Sequence, residues 1–126
     1  MIGSTGLTAG GEPVRVWLAT TPLDMRCGFD RLAEQARSVT GQDPLSGHLF
    51  LFRGRGGDRL KILYWDRDGY ALWYKRLEEG TFKLPKLDAS QKSVELRASE
   101  LAMMLDGIDL RSVRRTKRYR RNDAEK

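Results

Sequence analysis

Cysteine and histidine are nearly absent from this chain of 126 residues: each occurs once, as Cys27 and His48. A lone cysteine leaves no internal disulfide to form, and one of each residue defeats the multi-histidine and cysteine-rich ligand sets that hold zinc. Long hydrophobic runs are missing as well. No stretch reaches the length of a transmembrane helix or of the apolar part of a signal peptide. The expectation is a soluble, cytoplasmic protein in a reducing compartment, with no metal, no cofactor and no membrane partner. A chain of this length holds one domain with a modest core, and a hydrophobic content of 40% with three Trp argues that its middle folds.

Acid is missing from one segment in particular. Between positions 111 and 121 stand Arg111, Arg114, Arg115, Lys117, Arg118, Arg120 and Arg121 without a single Asp or Glu. Setting those seven cations aside leaves sixteen Lys and Arg against seventeen Asp and Glu, so the body carries minus one while the chain carries +6. A concentrated basic tail on a near-neutral body points to a polyanion, nucleic acid more often than an anionic membrane. A tail that only solvates the protein has the same composition.

Residues 1–12 are rich in Gly, Ser and Thr and read as a disordered arm. A single α+β domain is expected over 13–110, followed by a flexible basic tail over 111–126. Val14, Val16 and Leu18 alternate with Arg15 and Trp17 as in a short strand. Phe29, Leu32, Ala33, Ala36 and Val39 then fall at helical spacing, and Gly41 supplies a stop. The helix start is open between 22 and 28, because Thr21-Pro22 and Asp24 are both possible caps and Gly28 inside a helix costs about 1 kcal/mol relative to Ala.

Three strand-like runs follow: His48 to Arg53, Arg59 to Trp65 and Tyr70 to Leu77. The glycine-rich loop at 54–58 and the Asp68-Gly69 pair make both joins short, so an antiparallel meander is predicted, packed on the amphipathic helix. Beyond it, Ser93 to Leu96 forms a short edge strand and a second helix covers Ala98 to Asp106, with Leu101, Met104 and Leu105 inward. Gly107 is placed for a left-handed stop that returns Ile108 onto Met103.

Pairing Arg53 with Arg59 and Arg67 with Tyr70 sorts the meander onto two faces. One collects Phe50, Phe52, Leu60, Ile62, Tyr64, Trp73 and Leu77 and belongs against the helix. The other carries Leu49, Leu51, Leu63, Trp65, Leu72 and Tyr74, and at one end Arg53, Arg59, Lys61 and Arg76, with Arg55 in the adjoining loop. In that register Lys61 faces Arg76, a repulsion that an intervening phosphate relieves, and Trp65 and Tyr74 offer flat surfaces for bases. Cations on a sheet edge also serve simply to prevent aggregation, and a one-residue slip scatters the cluster.

Patterns for catalysis are thin. A Cys27–His48 pair near Arg26 has the residue types of a thiolate nucleophile, yet a lone Cys is ordinarily a small buried residue and a His opening a strand ordinarily sits at the rim. Asp66-Arg67-Asp68-Gly69 begins like a calcium loop, but Tyr70 occupies the next ligand position and Leu77 the twelfth. Asp24, Asp30, Asp58, Asp66 and Asp68 are acids of the kind a two-metal nuclease needs, and each also has an ordinary place in a turn, a cap or a first helical turn. The 53–59 loop lacks the Gly-Lys-Ser/Thr ending of a P-loop and precedes a strand.

Blocks of sequence resemble a known family. Asp24-Met25-Arg26, Gly28-Phe29-Asp30, Gly47-His48-Leu49-Phe50-Leu51-Phe52-Arg53-Gly54-Arg55, Asp58-Arg59-Leu60-Lys61 and Tyr64-Trp65-Asp66 occur in the order found in the TnpB accessory protein, the second open reading frame, of insertion sequences of the sixty-six family. The similarity continues through Tyr74-Lys75-Arg76-Leu77-Glu78, Gly80, Phe82 and the 101–109 segment. Arg97 and Ala98 depart from the Thr-Pro helix opening expected there. The resemblance implies a small bacterial protein encoded beside a larger transposase, needed for movement of the element and not its strand-transfer enzyme. It implies no catalytic residues, and it favours DNA over membrane or RNA as the polyanion. The expected function is a non-catalytic accessory role with DNA bound through Arg53, Arg55, Arg59, Lys61, Arg76 and the tail cations. The alternatives are an adaptor docking on the transposase of the same element and, more remotely, a small metal-dependent nuclease.

Overall fold

The computed structural model describes residues 8–9 and 12–108. The basic segment 111–121 therefore lies outside the described residues. Within the stretch read as an arm, β1 (Thr8–Ala9) and β2 (Glu12–Pro13) pair antiparallel. The body is built from β3 (Val16–Ala19), α1 (Phe29–Thr40), a 3₁₀ turn at Pro44–Ser46, β4 (Leu49–Arg53), β5 (Arg59–Asp66), β6 (Gly69–Arg76), β7 (Ser93–Leu96) and α2 (Ala98–Leu105). Five strands form one sheet in the order β6-β5-β4-β3-β7. The architecture is the expected α+β, with β4, β5 and β6 as the antiparallel meander. β3 runs parallel to β4, a pairing that needs a crossover, and α1 supplies it.

Helix α1 buries Leu32, Ala33 and Ala36, the stripe its 3.6-residue spacing defines. Gly41 closes it in the left-handed conformation (φ 71°), its N–H donating to Arg37 O. Gly28 is the N-cap, which puts the start at the late end of the open window and leaves Phe29 on the first turn 47% exposed, not inside the core stripe. Asp24 caps a different feature. Its carboxylate accepts from Arg26 N, and its carbonyl from Cys27 N, closing a turn ahead of the helix.

The registers differ from the sequence expectation on both sides of β5. Arg53 pairs with Leu60, not Arg59, and Asp66 pairs with Gly69. A slip of one residue exchanges the faces of β4 against β5, so Phe50 and Phe52 join Leu63 under α1, while Leu49 and Leu51 join Leu60 and Ile62 on the opposite face. The slip of two between β5 and β6 keeps the faces and changes the partners: Lys61 lies opposite Tyr74, and Arg59 opposite Arg76. The hairpin turn is centred on Arg67 and Asp68, with Arg67 at φ 58° and Asp68 N donating to Asp66 O. The two-residue loop is thereby shifted one position toward the N-terminus, and Gly69 moves into the strand.

The second face has its own cover. Leu101 and Met104 of α2, with Phe82 from the 77–92 connection, pack on Val16, Leu18, Leu51, Leu60 and Ile62. Helix α2 opens at Ala98 despite lacking Thr-Pro, because Glu100 Oε1 accepts from Arg97 N at 2.8 Å, half of a capping box. It closes as expected: Gly107 takes φ 80°, Gly107 N donates to Met104 O and Ile108 N to Met103 O, the paired bonds of a Schellman stop. At the sheet edge Arg15 forks onto Glu95 at 2.8 and 2.9 Å and lies 4.8 Å over the Trp17 ring. That fork holds the Glu95 carboxyl below its ordinary value.

Leu101→Ala empties a fully buried site between α2 and the sheet and is expected to cost about 2–5 kcal/mol; Gly107→Ala forces a β-carbon into the left-handed region at about 1–2 kcal/mol. Urea unfolding of both variants measures the two losses, and equal, negligible values are incompatible with a packed α2. The depressed Glu95 pKa makes its contribution present above the unfolded carboxylate value near 4.5 and lost as pH falls through the lower folded value. Glu95→Gln is therefore expected to be less stable than wild type at neutral pH and to converge with it in acid, as followed by unfolding curves at a series of pH values.

Candidate nucleic-acid interface

The four cations expected to share one corner of the sheet, with Arg55 of the adjoining loop, divide into two groups. Lys61 is a correction: it is 6% exposed, not a surface cation. Its Nζ donates to Met25 O at 2.6 Å and Cys27 O at 2.9 Å, and stands 4.8 Å from the centre of the Tyr74 ring. A buried ammonium needs such acceptors, and here they tie the 24–28 turn to the middle of β5. Arg53 is also drawn inward. It projects to the α2 face, where one terminal nitrogen donates to Thr20 O at 2.7 Å, and burial lowers its pKa. Thr20 is itself held, through N to Lys92 O and Oγ1 to Gln91 O. Arg53 thus locks the end of β3 to β4 and the start of β7.

Arg55, Arg59 and Arg76 remain at the surface. Arg59 and Arg76 are direct cross-strand partners, and Arg76 lies 3.4 Å from the Glu78 carboxylate. Arg59 turns its guanidinium to the Tyr74 hydroxyl at 3.3 Å. Arg55 rises from the 54–58 loop, whose closure uses Gly54 N to Arg59 O and Gly57 N to Gly54 O. Opposite that loop stands the 24–26 turn, and between them runs an open groove of about 490 Å³ lined by Asp24, Met25, Arg26, Gly54, Arg55, Gly56, Asp58 and Arg59. Gly54 is required there: a β-carbon would fall 2.9 Å from Met25 Cγ.

Arg26, which in the sequence stands out only as a neighbour of the Cys27–His48 pair, lines this groove. It forks onto Asp24, which holds the Asp24 carboxyl far below the usual carboxylate range, with Arg55 adding to the effect. Both partners stand in solvent, so the fork orients Arg26 toward the groove more than it stabilises the fold. Its proximity to Arg55 and Arg59 depends on the Lys61 contact, which no local sequence signal announces.

The remaining chemical candidates separate in space. His48 Nδ1 accepts from Arg15 N at 2.9 Å at the start of β4, whereas Cys27 is fastened near Phe52 through Lys61. Four residues of strand, ~13 Å, lie between those points, too far for a nucleophile–base pair. Among the described residues no group of three or more His, Cys, Asp or Glu is placed to hold a metal. None of their helices is long and apolar enough to cross a membrane.

The profile of the family described as IS66 Orf2-like protein matches residues 14–115. The chain belongs to the IS66 Orf2-like family. Two proteins of Sinorhizobium fredii are similar over most of their length: y4hO, 42% identical over 106 residues that cover 84% of this chain and 90% of the relative, and y4jC, 33% identical over 102 residues that cover 81% and 86%. Both carry the description uncharacterized. No solved structure matches the chain. The family is an accessory one in insertion-sequence transposition, and the matched region takes in Arg111, Arg114 and Arg115 of the basic segment.

Lys61→Met keeps the stem and removes the donor, leaving Met25 O and Cys27 O unpaired. The expected loss is about 2–3 kcal/mol, seen in urea unfolding, with faster hydrogen exchange at the Arg26 and Cys27 amides. A variant as stable and as protected as wild type contradicts the structural role of Lys61.

Proposed function

We propose that this IS66 Orf2-like protein binds DNA within a transposition complex, with the cations of 111–121 making phosphate contacts and Arg55, Arg59 and Arg76 orienting the strand against the body. The observation that carries this reading is the charge distribution. Seven cations without an acid stand in one segment of an otherwise near-neutral chain, and three arginines of the body, Arg55, Arg59 and Arg76, stand together at the β4–β5 loop and the neighbouring end of β6. Phosphate contacts of this kind give affinity and register without base identity. No sequence readout is proposed, and no chemistry is assigned to the protein itself. Membership of a transposition family supports DNA over other polyanions and makes the transposase of the same element the natural second partner.

A second reading is favoured by β6. It is an edge strand of eight residues, and an edge strand presents unpaired backbone groups to which a partner strand adds. In this adaptor reading the protein docks on the transposase and the basic segment only solvates the assembly. Retention of the transposase in a pull-down after nuclease and high salt favours the adaptor; loss under both treatments favours a DNA bridge.

With six or seven cations of 111–121 on duplex phosphates, log affinity is expected to fall against log salt with a slope of about −5 to −6. Removal of 111–126 leaves the described body intact and flattens that slope. Anisotropy titrations at several salt concentrations measure both, and identical slopes for the two proteins remove the basic segment from the interface.

A further inference from the structure

Tyr74 is 46% exposed on a strand whose apolar neighbours are largely covered. Its ring is held from two sides. Lys61 Nζ stands 4.8 Å from the ring centroid, and Arg59 donates to the hydroxyl at 3.3 Å. The lysine cannot swing away, because Met25 O and Cys27 O fasten it at 2.6 and 2.9 Å. A half-exposed ring backed by a fixed cation is rigid before any ligand arrives, so little side-chain entropy is lost on stacking. A merely leftover exposed tyrosine has no need of such support.

The platform adjoins the groove through the same two cations. Arg59 lines the groove and touches Tyr74, and Lys61 holds Met25, another lining residue. Three arginines, Arg26, Arg55 and Arg59, border the groove against two acids, Asp24 and Asp58, of which Asp24 is already forked by Arg26. Arg76 stands across from Arg59 on the same face. A flat π-surface beside a positively bordered trough matches a nucleotide whose base is unstacked from its neighbours. Duplex DNA offers phosphates to such a trough but keeps its bases inside the stack.

We infer that the Tyr74 platform and the Arg26–Arg55–Arg59 groove form a binding site for single-stranded DNA, the base lying on Tyr74 and the backbone phosphate entering the groove. The inference rests on the DNA-binding reading above and adds strand state to it: the body selects unpaired DNA, while the basic segment binds either form. Arg59 serves both halves, gripping phosphate and fixing the ring.

The test uses the full chain and three labelled probes of equal length: a single strand, its duplex, and the single strand with abasic sites. Wild type is expected to bind the single strand more tightly than the abasic strand. Tyr74→Leu retains an apolar cover for Lys61 and is expected to weaken single-strand binding about 5- to 150-fold, the range for loss of one stacked base, with duplex binding almost unchanged. Tyr74→Phe keeps the ring and restores most of the affinity, which separates stacking from the hydroxyl contact. Circular dichroism establishes that the variants fold. Equal loss on single strand and duplex, equal binding of intact and abasic strands, or full affinity in Tyr74→Leu overturns the inference while leaving DNA binding standing. Failure of wild type to bind any of the probes at low salt overturns both.

Discussion

Phe52 opposite Lys61 is the pairing on which the molecule turns. With Arg53 set against Leu60, every side chain of β5 is committed to a face: Leu60 and Ile62 to the layer under α2, Leu63 and Lys61 to the layer under α1. The lysine then sits inside the α1 layer beside Phe52, where a cation is tolerable only if carbonyl oxygens replace its water. Met25 and Cys27 provide them. The 24–28 turn is therefore drawn onto the sheet by electrostatics, not by apolar burial, and α1 begins at Gly28 because the chain leaves that anchor there.

The same pairing divides the cations by task. Arg53 and Lys61 satisfy backbone carbonyls and hold connections in place; Arg26, Arg55, Arg59 and Arg76 are left at the rim around the groove and Tyr74. The proposed interface depends on the structural pair without including it. Arg26 lines the same groove as Arg55 and Arg59 from a turn that Lys61 grips, and Lys61 Nζ backs the Tyr74 ring at 4.8 Å.

Much of the fold was legible residue by residue. The spacing of Leu32, Ala33 and Ala36, the stop at Gly41 and the Gly107 return onto Met103 are all local events, governed by contacts within a few residues, and each appears as expected. The register was not legible. β4 reads Leu49-Phe50-Leu51-Phe52, apolar at every position, because both of its faces are buried; a strand covered on two sides has no alternation to fix which residues face which helix. The hairpin misled for another reason. Asp68-Gly69 is a favoured turn pair, yet the turn sits one residue earlier, on Arg67-Asp68, with Arg67 at positive φ and Gly69 paired with Asp66 as the first residue of β6.

The sequence alone determined the class of the fold, its family, the C-terminal stops of both helices and the confinement of net charge to 111–121, since these follow from composition, short-range periodicity and ordered blocks of residues. Only the tertiary structure decided which cations are free. Lys61 and Arg59 stand two apart on one strand and look equivalent in the sequence, yet one is buried against two carbonyls and the other borders an open groove. That difference is made by the 24–28 turn, more than thirty residues away along the chain, and desolvation by so distant a segment leaves no mark on the local pattern.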